Sequence, residues 1–299
     1  MKIKIICIVS ICTMFFSCEK TVNESSFCKD MHFSAVHPGT STKASSEGFE
    51  AGDRIGIFVV EYIDSVTPAP LQIVGNWANN ISANYDGSVW TTSSRIFWSN
   101  KALDVYAYYP YQSLNSVDNQ PFSVAINQDS PGSGDILSGF ESSDLLWAQT
   151  LRVTAPADEG VASPIPLVFS HIMSKIVVNF IKGDDFEGEF PDDGILTIHN
   201  TVPSAEIDLA RGVAVKNPFG TTESIRMHKL ANDSYEAIIV PQNLESRRPF
   251  LEYEANGVSF LIEETFRFKA GMLYTYNITI NNSPDQISIE VGAGVSGWN

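Results

Sequence analysis

The apolar runs of this chain are short, and each is closed off by Gly, Pro, Asn, Asp or Ser. In the first half they fall at 55–62, 88–92, 95–99, 103–109, 122–126 and 145–149. In the second half they fall at 167–180, 195–199, 205–209, 213–216, 235–240, 250–254, 258–263 and 272–280. They are rich in β-branched and aromatic residues, which suit a pleated, half-buried surface. No helical stripe of useful length interrupts them. Many short strands between turn signals bury their apolar faces by stacking sheets, so the sequence predicts an all-β fold of two tandem β-sandwiches. The segment at 151–166, LRVTAPADEGVASPIP, carries three prolines and no periodicity, and reads as the linker. The expected domains are therefore 27–155 and 166–299.

A chain of 299 residues with 43% hydrophobic residues, Phe 18 and Tyr 10 can build real cores by burial. Its net charge of −16 repels phosphate backbones and anionic lipid, which argues against nucleic acid as a partner.

The amino-terminal stretch MKIKIICIVSICTMFFSCEK places Lys2 and Lys4 before an apolar run at 5–16, then Ser17 and Cys18. This is the layout of a secretory signal, too short to span a bilayer as a stable helix. The Ser17–Cys18 junction resembles a lipobox, although Phe15 stands where an aliphatic residue is usual. On that reading 1–17 is a signal peptide, Cys18 takes a diacylglycerol, and 18–26 is a lipidated tether; an ordinary cleaved signal is the alternative. Of four cysteines, Cys7 and Cys12 leave with the signal and Cys18 is acylated, so Cys28 has no partner for an intrachain disulfide.

Both ends of the mature chain alternate with a period of two. Phe27, Met31, Phe33 and Ala35 are apolar, with Lys29 the exception, and predict a half-buried first strand. The loop that follows, 37–48, is built of turn-forming residues and reads as exposed and open to proteases. At the other end Ile287, Ile289, Val291, Ala293 and Val295 alternate with polar residues and glycine. Two readings fit: a final strand of the second sandwich, or an extended tail at about 285–299 that buries its apolar row in a neighbouring molecule.

Catalytic constellations are missing from the pattern. The five histidines are scattered without metal-binding spacing, and neither CxxC nor GxSxG occurs. The glycines of 131–139 lack the P-loop lysine and read as a turn. Asp184, Asp185, Glu187, Glu189, Asp192 and Asp193 crowd one loop, but their spacing does not fit an EF-hand, and a solvated acidic hairpin is favoured. Trp90, Phe97, Trp98, Tyr106, Tyr108, Tyr109 and Tyr111 would form either core pairs or a sugar-stacking platform. The chain is read as a non-enzyme with no cofactor and no metal.

Several stretches together resemble the fimbrillin family, the lipoprotein-derived pilins of type V fimbriae. They are TKA at 42–44, FEAGDRIGIF at 49–58, LDVYAYYPY at 103–111, DLLWA at 144–148, PLVFSHIMSKIVV at 166–178, AIIVPQ at 237–242 and FKAGMLYTYNITI at 268–280. The resemblance implies two transthyretin-like β-sandwiches, export to the outer membrane as a lipoprotein, and maturation by a trypsin-like protease that cuts just after the first strand. It further implies a groove left by that strand and filled by a carboxy-terminal strand of the next subunit, a form of β-augmentation. Carried onto this chain, the displaced strand holds Phe27, Met31, Phe33 and Ala35. The cut falls after Lys43, or less well after Arg54, and the donor row is Ile287, Ile289, Val291, Ala293 and Val295. The implied partners are other fimbrial subunits, the outer membrane through the lipid, and the processing protease. The competing reading is a surface lipoprotein that binds glycan through the aromatic cluster.

Overall fold

Two strands of the first half, Arg54–Glu61 and Leu103–Tyr109, are apolar at nearly every position rather than at alternate ones, because both of their faces are covered. The computed structural model describes residues 29–38, 48–134, 136–157, 163–184, 186–280 and 294–298. Its strands in chain order are β1 (Phe33–Val36), β2 (Arg54–Glu61), β3 (Ala78–Tyr85), β4 (Trp90–Thr92), β5 (Leu103–Tyr109), β6 (Gln120–Ser123), β7 (Leu146–Val153), β8 (Ile165–Val168), β9 (Ser170–His171) and β10 (Ser174–Lys182). They continue with β11 (Ile195–Thr201), β12 (Ser204–Asp208), β13 (Val213–Lys216), β14 (Glu223–Arg226), β15 (His228–Ala231), β16 (Ser234–Ile239), β17 (Asn243–Ala255), β18 (Val258–Arg267), β19 (Met272–Ile280) and β20 (Gly294–Gly297). The fold is all-β, with a short 3-10 turn at Glu141–Ser143.

The first half is a six-stranded sheet in the order β4-β3-β2-β5-β7-β9. One face carries Ile55, Ile57, Val59, Val105 and Ala107, which pack in a single cluster with Met31, Phe33, Trp98, Ile165 and Leu167 from the covering segments. The other face carries Phe58, Val60, Tyr106 and Tyr108, which join a larger cluster running through Val117, Phe122 and Leu145 into the second half. At roughly 2 kcal/mol for each fully buried large apolar side chain, these two rows give the central strands their hold on the fold.

The second half stacks a five-stranded sheet, β15-β16-β10-β19-β20, against a four-stranded one, β14-β11-β17-β18. Ile176, Val178, Ala237 and Ile239 of the first belong to one core with Leu196, Ile198, Leu251 and Tyr253 of the second. β17 and β18 form a long hairpin closed by Asn256 and Gly257, at φ +50° and +73°, the left-handed pair that a tight hairpin turn demands. A third sheet, β13-β12-β6, mixes the halves, since β6 comes from the first and its partners from the second. Gln128 adds a buried clamp: its side chain donates to Ile238 O at 2.6 Å and accepts from Ile238 N at 2.8 Å.

Several sequence expectations need correction. The strand expected at 167–180 is three strands. Ile165, Leu167 and Phe169 belong to the first core, β9 pairs with β7 at the edge of the six-stranded sheet, and Met173, Ile176 and Val178 belong to the second core. The first half therefore extends past the expected boundary at 155, and a second half beginning at 166 would cut through β8. The buried row shifts from odd to even positions between Phe169 and Ile176, which marks the crossing from one core to the other. The linker at 151–166 is shorter than expected, because β7 runs to Val153 and β8 starts at Ile165. Residues 95–99 form a single bridge, Phe97 to Asp30, rather than a strand. The polar sequence of β3, ANNISANY, gave no alternation to read, yet it pairs with β2 because the sheet needs a partner on that edge.

Candidate strand-exchange site

β1 enters the open side of the first sandwich between two segments. Met31 N donates to Ile96 O at 2.7 Å and Trp98 N donates to Lys29 O at 3.0 Å. Beyond that point β1 runs parallel to β8, with Ile165 N donating to His32 O at 2.7 Å and Phe169 N to Val36 O at 3.0 Å. Outside the core, the Arg95 guanidinium meets the Asp30 carboxylate at 2.9 Å.

Alternation decides what this strand buries. Met31 and Phe33 are 3% and 5% exposed, Ala35 packs against the same cluster as a partly buried residue, and His32 is exposed. Phe27 lies outside the described residues, so the described part of the expected first strand begins at Lys29. With the strand in place, the groove beneath it is lined by Ile96, Trp98, Ile165, Leu167 and Phe169, all buried. Without it, that apolar lining and the free edges of β8 and of the 96–98 segment would face water, a costly state that another strand could relieve.

Of the two candidate cleavage residues, Lys43 lies outside the described residues. Arg54 opens β2: its guanidinium stands 4.7 Å over the Tyr111 ring, its carbonyl accepts from Tyr111 N at 2.8 Å, and the next residue, Ile55, is fully buried. A protease would have to peel β2 from the sheet to reach that bond.

Cys18, Ile287, Ile289, Val291 and Ala293 also lie outside the described residues. Val295 sits in β20, opposite Tyr274 at the edge of the five-stranded sheet, and is 52% exposed. β20 is exposed at all four positions, and the chain then turns inward at Trp298. Trp298 N donates to Gly271 O at 2.9 Å, and the indole stacks on His171 with centroids 3.5 Å apart and planes 7° from parallel. His171 in turn bonds through Nδ1 to Asp144 at 2.9 Å. The sequence pattern did not mark this pair, although a tryptophan directly after a glycine-rich exposed strand was a usable signal.

Trp298 lines a cleft of about 610 Å³ at the junction of the halves, together with Phe49, Tyr109, Phe140, Lys175 and Glu236. There the Lys175 ammonium pairs with Glu236 at 2.8 Å and faces the rings of Phe140 and Trp298. Tyr109 donates to Asp53 at 2.9 Å; burial, and then the Asp53 charge, push its hydroxyl well above the usual phenol range. Among the described residues no group of three or more His, Cys, Asp and Glu is placed to hold a metal ion. In the acidic loop, Glu189 pairs with Lys182 at 2.8 Å, and Asp193 accepts from Asn256 N at 3.1 Å.

The aromatic cluster is divided between core and surface. Trp98, Tyr106, Tyr108 and Tyr109 are buried, and Trp90 stacks on Tyr85 at 4.9 Å. Phe97 is exposed, and Trp90 and Tyr111 are half-buried, so only part of the cluster reaches the surface.

No curated protein matches the chain. Among solved structures, a candidate cell adhesion protein of Bacteroides uniformis superposes with a TM-score of 0.65 at 21% identity, covering 90% of this chain and 98% of that one. A second candidate cell adhesion protein, of Bacteroides ovatus, gives 0.66 at 19% identity over 90% and 97%. The tip fimbrial protein Mfa3 of Porphyromonas gingivalis, with a carboxy-terminal truncation, gives 0.50 at 8% identity over 82% and 94%. At these identities the likeness is one of fold. The fimbrillin-like family profile matches residues 42–298, and the chain therefore belongs to the fimbrillin-like family, a family of structural fimbrial subunits rather than enzymes.

Proposed function

We propose that this protein is a structural subunit of a cell-surface fimbria, exported as a lipoprotein acylated at Cys18 and assembled by protease-triggered strand exchange. The observation that carries the reading is the seating of β1. Met31 and Phe33 fill an apolar groove, yet the strand is joined along the chain to β2 through the segment at 37–48 that holds Lys43. A cut after Lys43 would free a short peptide and leave Ile96, Trp98, Ile165, Leu167 and Phe169 uncovered. The row Ile287, Ile289, Val291, Ala293 and Val295 has the same period of two and could replace it from a neighbouring subunit. A donor passed head to tail does not close on itself, so the product is a filament.

The test is digestion of the purified chain by a trypsin-like protease, with the cut verified by mass spectrometry, followed by electrophoresis without boiling. The expected result is a ladder that is lost when residues 285–299 are deleted. Persistent monomer after a verified cut would remove the shaft role. Mass spectrometry of the native amino terminus checks the anchor, which requires a diacylglyceryl group on Cys18 before processing.

A further inference from the structure

We propose that His171 is a clasp shared by both ends of the mature chain, holding Trp298 and the carboxy-terminal tail on its own subunit until removal of the first strand takes His37 away. The inference rests on the strand-exchange reading above and adds an order of events to it.

The geometry centres on one buried ring. His171 is 4% exposed and its Nδ1 is fixed by Asp144 at 2.9 Å. Trp298 covers the ring face at 3.5 Å. His37 meets the same ring edge-on, with centroids 5.8 Å apart at 82°, and also meets Phe49 edge-on at 5.1 Å. His37 precedes Lys43 and Phe49 follows it, so a cut after Lys43 divides this aromatic chain and removes the member that touches His171.

The tail depends heavily on that contact. β20 pairs with β19 over four positions and is exposed throughout, a length that is marginal for an edge strand. Among the described residues 294–298, Trp298 alone is buried. Its hold includes the stack on His171, the bond to Gly271 O, the Lys175 ammonium 5.7 Å from the ring and its place at the margin of the larger core cluster. Taking away His37 opens the flank of His171 to water and loosens the ring against which Trp298 rests. The equilibrium between a seated and a released tail then shifts toward release, and only a processed subunit offers its tail freely.

Hydrogen exchange read by mass spectrometry over 272–275 and 294–298 tests the clasp in the full chain, at concentrations low enough to keep it monomeric. Cutting after Lys43 is expected to speed exchange there roughly tenfold, the scale of one lost aromatic contact. His37→Ala in the uncut chain should reproduce the effect of the cut, and Trp298→Ala should speed exchange whether or not the chain is cut. His171→Ala should do the same, and cutting should add little to it. If that variant fails to fold, His37→Ala and Trp298→Ala carry the test. Unchanged exchange after both the cut and His37→Ala overturns the clasp. A normal ladder with unchanged exchange sinks the clasp and leaves strand exchange standing, whereas faster exchange without a ladder supports the clasp and sinks strand exchange.

Discussion

Trp147 of β7 donates its indole N–H to the carbonyl of Leu209, 2.7 Å away, and so ties the sheet of the first half to a turn of the second. The turn can come this close because Gly212 has no side chain: a Cβ there would overlap the Trp147 ring, and the residue sits at φ +64°. The two halves are thus joined by a tryptophan lying flat against a backbone, in addition to the mixed sheet β13-β12-β6.

Gly212→Ala is expected to destabilise the protein by about 3 kcal/mol, combining left-handed backbone strain with overpacking against the indole. Trp147→Phe, which loses the hydrogen bond and part of the ring, should cost at least ~1 kcal/mol. Urea unfolding followed by circular dichroism reads both values, and a Gly212→Ala variant as stable as the parent would contradict the close contact.

Lys175 and Glu236 pair at 2.8 Å with both side chains buried. Lys175→Met alone leaves the Glu236 carboxylate in the cleft without its partner and should cost ~3 to 5 kcal/mol. The double variant Lys175→Met/Glu236→Leu should recover most of that loss, since neither charge is then buried. Equal stabilities of the single and double variants in chemical unfolding would show that the pair is not coupled.

Phe33→Ala removes a buried ring from the seat of β1 and should cost ~3 to 4 kcal/mol in the uncut chain. The midpoint of thermal unfolding should fall accordingly. His32→Ala, one position along on the exposed side of the same strand, should leave it nearly unchanged. This contrast, rather than the absolute loss, checks which row of the strand faces the core.

Acid should weaken the fold partly through Glu61 and Glu252. The hydroxyl of Ser99, with Lys101 adding to it, holds the Glu61 carboxyl below its ordinary value of 4.5. The bond from His199, with Ser259 adding to it, does the same for Glu252. A carboxyl held low in the folded state contributes stability that is fully present above the ordinary value and is lost as pH falls below it through the lowered one. Unfolding measured from pH 7 down to pH 3 should therefore show a decline beginning near 4.5, and Glu61→Gln should flatten part of it. An identical acid limb in the variant would show that Glu61 is not linked to folding.

How much of this could be read in the sequence depended on whether a local pattern carried the information. The strands at 103–109, 213–216 and 272–280 were legible to the residue, because β-branched and aromatic residues mark them and turn residues stop them. The alternation of Met31, Phe33 and Ala35 likewise declared which side of the first strand is apolar. β3 was not legible, since its ANNISANY has no apolar row and owes its conformation to β2.

The sequence alone determined that the chain is all-β, acidic and without a catalytic pattern, for these follow from residue types and their spacing along the chain. Tertiary structure alone decided that β6 crosses to join β12, that β10 lies parallel to β19, and that 165–182 passes from one core to the other. It also decided that His37, His171 and Trp298 meet, and that the backbone of Arg54 is paired within a sheet while its side chain is exposed. Contacts between residues far apart along the chain leave no local mark, because pairing and burial are set by what the folded neighbours supply rather than by the segment itself.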